Sequence, residues 1–387
     1  MLVIKNGLIH DAVHKRPYVG DIAVENGKIS AIGKELPAAG AEVVDATGLE
    51  VYPGFVEAHS HIGLTGYGAN GTPVNDINES SDPIQPHLRA IDGFNPFNDN
   101  VAMAASGGVT TICTGPGSAN VVGGTFTVVK TAGTRVDDMT VIPEAAMKCA
   151  MGENPKNRYK DKGGSTRMSV AAKLREALFK ARDYERKVTR AQGDPDKTPA
   201  FDIKLNAMLP VMRGEMPLKI HAHQANDIFT AIRIAKEFGV KLTLEHVTEG
   251  HLIADALAAE GYPVAVGPTL CGAGKFELRN KSWTTPAILH KAGCRVSIIT
   301  DAPVTPQHYL PLCAGLAVKA GLDPFAALQA ITINPARHVG AADRVGSLEV
   351  GKDADIVLTD GSPFEVATNV LRVFIDGKEI PLVTEHV

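Results

Sequence analysis

GFVEAHSHIGLTG, residues 54–66, sets His59 and His61 one residue apart, directly after the apolar run Val51–Tyr52–Pro53–Gly54–Phe55–Val56 and before a loop rich in Gly and Asn. A strand has a side-chain period of two, so both imidazoles point to one face. Both then reach a single point about one metal–ligand bond away, roughly 2.0–2.1 Å for zinc. Taken alone, the pair fits a metal site and two unrelated strand-end histidines equally well.

Three further apolar runs end in the same chemistry. Pro217 to His223 reads PLKIHAH, Val240 to His246 reads VKLTLEH, and Arg295 to Asp301 reads RVSIITD. Helical patterns alternate with these runs. The clearest is Ser169 to Gln192, where Val170, Leu174, Leu178, Ala181, Tyr184 and Val188 recur at three- and four-residue steps, and Gly193–Asp194–Pro195 ends it. Residues 226–238 and 249–260 also read as helices, and 323–331 opens with a capping Asp followed by Pro. Repeated strand–helix units over roughly 250 residues predict a parallel sheet or a (β/α)₈ barrel. In such a barrel the C-terminal ends of different strands converge on one site. Histidine and carboxylate without cysteine suits Zn, with Mn, Fe or Co as alternatives.

The two ends of the chain differ from this middle. Residues 2–4, 21–24, 28–32, 354–358 and 370–375 read as strands, with Asn26–Gly27 and Asp376–Gly377 as tight turns. They predict a small β-sandwich formed by residues 1–52 and 345–387 around a barrel of 53–344. Two long loops, 63–95 and 152–165, read as lids or binding loops. The composition, 44% apolar and 21% charged with a net charge of −4, is that of a globular chain with no electrostatic footprint for nucleic acid or membrane. The N-terminal MLVIKNGLIHDAV is too polar for a signal peptide or a membrane span. Five scattered cysteines without a CxxC pair suggest no disulfide framework, and a reduced, cytoplasmic setting is expected.

PGFVEAHSH, KIHAH, LEH and TDAP, in this order, resemble the amidohydrolase superfamily, as does the tail AITINPARHVGAADRVGSLEVGKDADIVL. The resemblance covers nearly the whole chain and looks closest to the branch of imidazolonepropionases and Xaa-Pro dipeptidases. It implies an α/β (β/α)₈ TIM-like barrel with a β-sandwich, and a divalent metal held by His59, His61, His221, His246 and Asp301. His223 is then expected to contact substrate or to support the ligands, and both histidines of KIHAH share a face.

The number of metals turns on VIPEAAMKCAM, residues 141–151. Lys148 is a lone lysine in an apolar run, where a bare ammonium is costly to bury. AMKCAM resembles the position at which superfamily members carry a lysine carboxylated by CO₂ that bridges two metals. Glu144 is the reserve bridge, and an outward-reaching lysine or one paired with Glu144 is the plain alternative. Residues 107–124 read as a strand followed by a Gly/Ser/Asn-rich binding loop that carries Asn120. Arg158 and Arg167 are candidates to hold an anionic substrate group, and His308 to line the pocket. His251, Cys113, Cys149 and Cys271 carry no arrangement that suggests catalysis.

These readings predict a metal-dependent hydrolase cleaving a C–N bond of an amide or cyclic amide. Asp301 is the general acid/base, and His246 or His223 stabilises the developing charge. The alternative is a one-metal deaminase or an imidazolonepropionase-like ring opener. A scaffold relative without catalysis would need missing ligand positions, and every position is filled. A small-molecule substrate is the expected partner, and a homo-oligomer is plausible for this size.

Overall fold

The computed structural model describes residues 1–66 and 74–383, so positions 67–73 of the first long loop and 384–387 of the C-terminal segment lie outside the described residues. Eight strands form one sheet in sequence order: β1 (Phe55–Ser60), β2 (Val109–Thr114), β3 (Val122–Lys130), β4 (Thr140–Ala150), β5 (Leu218–Ala222), β6 (Leu242–His246), β7 (Val264–Val266) and β8 (Val296–Ile298). The sheet curls into a nearly closed barrel, and the His61 N–H donates to Ala302 O (2.8 Å) across the seam between β1 and β8. Alternate side chains explain the layering. Ile220, Leu244, Val264 and Val296 join an apolar layer with the helices Arg167–Ala191 and Ala225–Phe238, while Lys219, His221 and Glu245 face inward.

Strict strand–helix alternation fails at one place. β3 runs antiparallel to both β2 and β4. Only residues 115–121 join β2 to β3, whereas a parallel crossover takes a dozen or more residues. The loop 152–165 is also more ordered than its composition suggests. Glu153–Arg158 is a helix and Lys160–Lys162 a 3₁₀ turn, and the buried Tyr159 hydroxyl donates to Glu79 O (2.7 Å).

The two ends of the chain build a separate eight-stranded sheet, in which Glu50–Pro53 pairs antiparallel with Ile356–Thr359. Asn26 and Gly27 both have positive φ (51° and 77°), as the Asn-Gly turn requires. Gly54 links this sheet to β1, and a Cβ there would lie 2.0 Å from Thr110 Oγ1. The sheet is tied to the barrel by Lys130, which is 2% exposed at the end of β3. Its Nζ lies 2.7 Å from Asp355, 3.2 Å from Asp353 and 3.2 Å from Asp376. Among the described residues no helix is long and apolar enough to cross a membrane.

Candidate metal centre

The strand ends converge as the strand period dictates. Glu57, His59 and His61 alternate along β1 and its exit, and Lys219, His221 and His223 do so along β5. Each of these side chains is buried. His246 and Asp301 arrive differently. Pleating would turn His246 away from its inward neighbour Glu245, but His246 has φ 74° and Val247 φ 43°, which swings the ring inward. Asp301, beyond the end of β8, has φ 52°. Left-handed backbone at non-glycine residues is strained and persists where the surroundings enforce it.

Every imidazole of the cluster is anchored through Nδ1. His59 donates to Glu245 Oε2 (3.0 Å), His61 to Gly115 O (2.7 Å) and His246 to Gly267 O (2.7 Å). His221 meets Ser118 Oγ (2.8 Å) and His223 meets Thr248 Oγ1 (2.7 Å). With Nδ1–H committed to a carbonyl, Nε2 of His61 and His246 carries a lone pair. The Nε2 atoms of His221 and His246 are buried without a hydrogen-bond partner. His61 Nε2 faces Asp301 Oδ1 at 3.1 Å, and His59 Nε2 faces it at 3.6 Å. Two acceptors held that close need a proton or a cation between them. His59, His246 and Asp301 lie close enough to share one ion, as do His221, His223 and His246. The donor set therefore fits a borderline divalent metal, with outer partners that fix each ring.

Electrostatics agree with ligand roles. Burial, with Lys148 adding to it, lowers His59 to about 3. Burial, followed by the Lys275 ammonium, lowers His223 to about 3. Burial and neighbouring imidazoles hold His221 and His246 well below the usual range. Such rings are neutral and ligand-ready. Burial alone would raise the Asp301 carboxyl, but His246, His61 and His59 outweigh it and keep it well below the usual carboxylate range.

Lys148 is fully buried, with Nζ 3.1 Å from His59 Nε2 and over the Phe126 ring. It does not reach outward, and burial lowers its pKa to about 7. Glu144 sits four residues before Lys148 on β4, 39% exposed and 3.2 Å from Arg89, so it bridges nothing at this centre.

A cavity of about 770 Å³ opens above the cluster, lined by His61, His221, His223 and Asp301 at its floor and by Arg158, Lys160 and Lys275 on its wall. Arg158 is thus on the cavity, whereas the other three substrate candidates stand elsewhere. The Asn120 amide is consumed by Glu79 O, Asp82 O and Tyr159 Oη. Arg167 pairs with Asp227 (2.9 Å) behind the wall. His308 lines a separate cavity of about 200 Å³ with Ile62 and Met103. His251 meets Thr285 Oγ1 (2.9 Å), and the cysteines are unpaired.

Sequence reasoning passed over the groups beneath the ligands. Glu57 accepts from Thr300 N, Thr300 Oγ1, Gln307 Nε2 and His59 N. Glu245 holds His59, His338 and Thr243, and lies 2.9 Å from Lys219. On the cavity side, Lys275 stands 2.8 Å from the buried Glu277 and donates to Asn154 (3.1 Å). Two of these were signalled by the same period-two pattern: Glu57 precedes His59 by two, and Lys219 precedes His221 by two.

A (β/α)₈-type barrel that gathers histidines and an aspartate at its strand ends could hold a metal at the face where barrel enzymes place their active sites. Comparison with known proteins places the chain more narrowly. The model of the amidohydrolase family matches residues 51–380, and the chain belongs to that family. The crystal structure of an amidohydrolase from Thermotoga maritima superimposes with a TM-score of 0.95 at 40% identity, covering 99% of this chain and 100% of that one. Amidohydrolase tasK of Hapsidospora irregularis is 30% identical over 93% of this chain, which spans only 40% of that protein's length. A dihydroorotase of Pelotomaculum thermopropionicum is 26% identical over 93% of this chain and 88% of its own.

Proposed function

We propose that this protein is a divalent-metal-dependent hydrolase that opens the C–N bond of an amide or cyclic amide carrying an anionic group. One observation carries the reading: His61, His221, His223 and Asp301 line one cavity, and the buried His59, His246 and Lys148 meet them directly beneath it. The similarity to a dihydroorotase supports a cyclic amide, and Arg158, Lys160 and Lys275 on the cavity wall support the anionic group.

His59, His61 and Asp301 would hold one cation, and His221 and His246 a second. The chemistry a bound cation supplies is water activated near neutral pH and a polarised carbonyl. Asp301 lines the cavity, accepts the proton of the attacking water and returns it to the leaving nitrogen. His223, anchored by Thr248, presents Nε2 to the cavity floor, where charge develops on the carbonyl oxygen. The buried Lys148, 3.1 Å from His59 Nε2, would supply a further ligand if carboxylated by CO₂, which would convert a costly ammonium into an anion. Zinc is the expected metal, with Mn, Fe or Co as alternatives.

A one-cation ring opener or deaminase is the second reading. It is favoured by the group His59, His246 and Asp301, which is complete without Lys148. The test is a panel of cyclic amides, N-acyl amino acids and dipeptides, with Asp301→Asn beside the wild type. The expected result is turnover of a carboxylate-bearing amide that falls at least about a hundredfold in the variant. Near-normal turnover in the variant would remove Asp301 from the chemistry, and, with amino-substituted heterocycles added to the panel, exclusive release of ammonia would select the deaminase form of the second reading.

A further inference from the structure

The role given above to His223 leaves part of its setting unexplained. Its ring is 2% exposed and packs with His221 and His246 in a closed triangle, with centroids 4.6, 4.6 and 4.3 Å apart. All three rings are anchored by Nδ1, to Thr248, Ser118 and Gly267 respectively, so all three can present Nε2 to one another. Two of those Nε2 atoms are buried without any hydrogen-bond partner. The side chain of Glu277, 0% exposed, closes the group, with Oε1 3.6 Å from His221 Nε2 and 3.7 Å from His223 Nε2. Ligands about 2.1 Å from a tetrahedral ion stand roughly 3.4 Å apart, so these separations are those of groups sharing one cation. Nitrogen lone pairs crowded together in a dry pocket are costly unless something positive joins them.

We propose that His223 is itself a metal ligand: with His221 and His246 it forms a three-imidazole seat for the second divalent cation, with Glu277 as the carboxylate beside it. This rests on the reading of the centre as a metal site, and it moves His223 from contacting substrate to holding metal. Three imidazoles with one open position is an established arrangement for a catalytic metal. Glu277 adds negative charge beside the three neutral imidazoles. Lys275, 2.8 Å from Glu277 and also bonded to Asn154, balances that carboxylate at the cavity edge.

The test is cobalt binding by the full-length protein, followed by elemental analysis and visible absorption, with no substrate needed. Wild type is expected to take about two Co²⁺ per chain and His223→Ala about one, with altered ligand-field bands. Thr248→Val touches only the far nitrogen of the His223 ring and should weaken the second cation by roughly 10–100-fold. This second variant decides the matter if His223→Ala does not fold, as judged by circular dichroism. Two cations bound with wild-type affinity and spectrum in His223→Ala, or an unweakened second cation in Thr248→Val, would overturn the proposal. So would a wild type that takes only one. A wild type that takes none overturns the functional reading as well, which separates the two failures.

Discussion

Replacing Glu245 by glutamine separates two tasks of one buried carboxylate. Oε2 accepts from His59 Nδ1 at 3.0 Å and lies 2.9 Å from Lys219 Nζ. Oε1 accepts from Thr243 (2.8 Å) and His338 (2.7 Å). Burial alone would raise this carboxyl, but Lys219, His338 and His59 outweigh it and hold it well below the usual range. Glutamine keeps the shape, removes the charge and turns an amide N–H₂ toward a donor. Lys219, 1% exposed, then becomes a buried ammonium with no counter-charge. Breaking a buried pair from one side costs about 3–5 kcal/mol. A chain of 387 residues has an unfolding entropy near 0.8 kcal/mol/K, at about 2.1 cal/mol/K per residue, so Tm should fall by about 4–6 °C. His59 also loses the partner that orients it, which should weaken the metal by roughly 10–100-fold. Adding Lys219→Met removes the stranded charge. The double variant should recover most of the stability while metal affinity stays low. The assays are calorimetry of chelator-treated protein and zinc titration against a competing dye. An unchanged Tm in Glu245→Gln would refute the ion-pair argument. Recovery of zinc affinity together with Tm in the double variant would show that Glu245 acts on the metal only through stability.

Zinc uptake by metal-free wild type should rise when bicarbonate is added, and Lys148→Ala should lose that dependence; a dependence that survives the substitution excludes Lys148 as the CO₂ acceptor. Lys275→Gln and Arg158→Gln should each raise KM for a carboxylate-bearing substrate about tenfold or more with a smaller change in kcat, as steady-state kinetics will show, and equal KM values for charged and neutral substrates would remove the anion subsite. Lys130→Met leaves the buried Asp355 without its cation, while Asp353 keeps Lys28 and Arg344 and Asp376 is half exposed, so the apoprotein should lose about 3–5 kcal/mol by denaturant titration while zinc affinity is unchanged.

Much of this centre was legible because a strand writes its geometry into the chain with period two. EAHSH and KIHAH declare which side chains share a face, and the apolar runs before them declare that the face is buried. What stayed hidden depends on backbone that leaves the period. Nothing in LEHV announces that His246 and Val247 adopt positive φ, although only that turn lets Glu245 and His246 serve the same interior. The antiparallel β3 was within reach, since residues 115–121 are too few for a crossover. Asn120, Arg167 and His308 sit in segments whose direction only tertiary packing fixes, and it turns them toward the loop 79–82, Asp227 and a second cavity.

The layer beneath the ligands also explains why the barrel tolerates so much buried charge. Lys148 and Lys219 stand in register on β4 and β5, with ammonium groups 5.4 and 5.5 Å from the same Phe126 ring. Two cations beside one aromatic ring repel each other, and of the two only Lys219 has a carboxylate, Glu245, in direct contact. The arrangement is balanced if Lys148 does not remain an ammonium. A neutral amine, or an anion made by adding CO₂ and sharing a metal, removes the repulsion and leaves Lys219 as the sole counter-charge of Glu245. If Lys148 takes up CO₂ as proposed, the Lys219–Glu245 pair and Lys148 have distinct tasks, although both lie in the same buried interior. It follows that Lys219→Met alone should damage stability by exposing Glu245 to an unpaired burial, yet leave the bicarbonate response of Lys148 intact. A lost response in that variant would mean that the two lysines act as one unit.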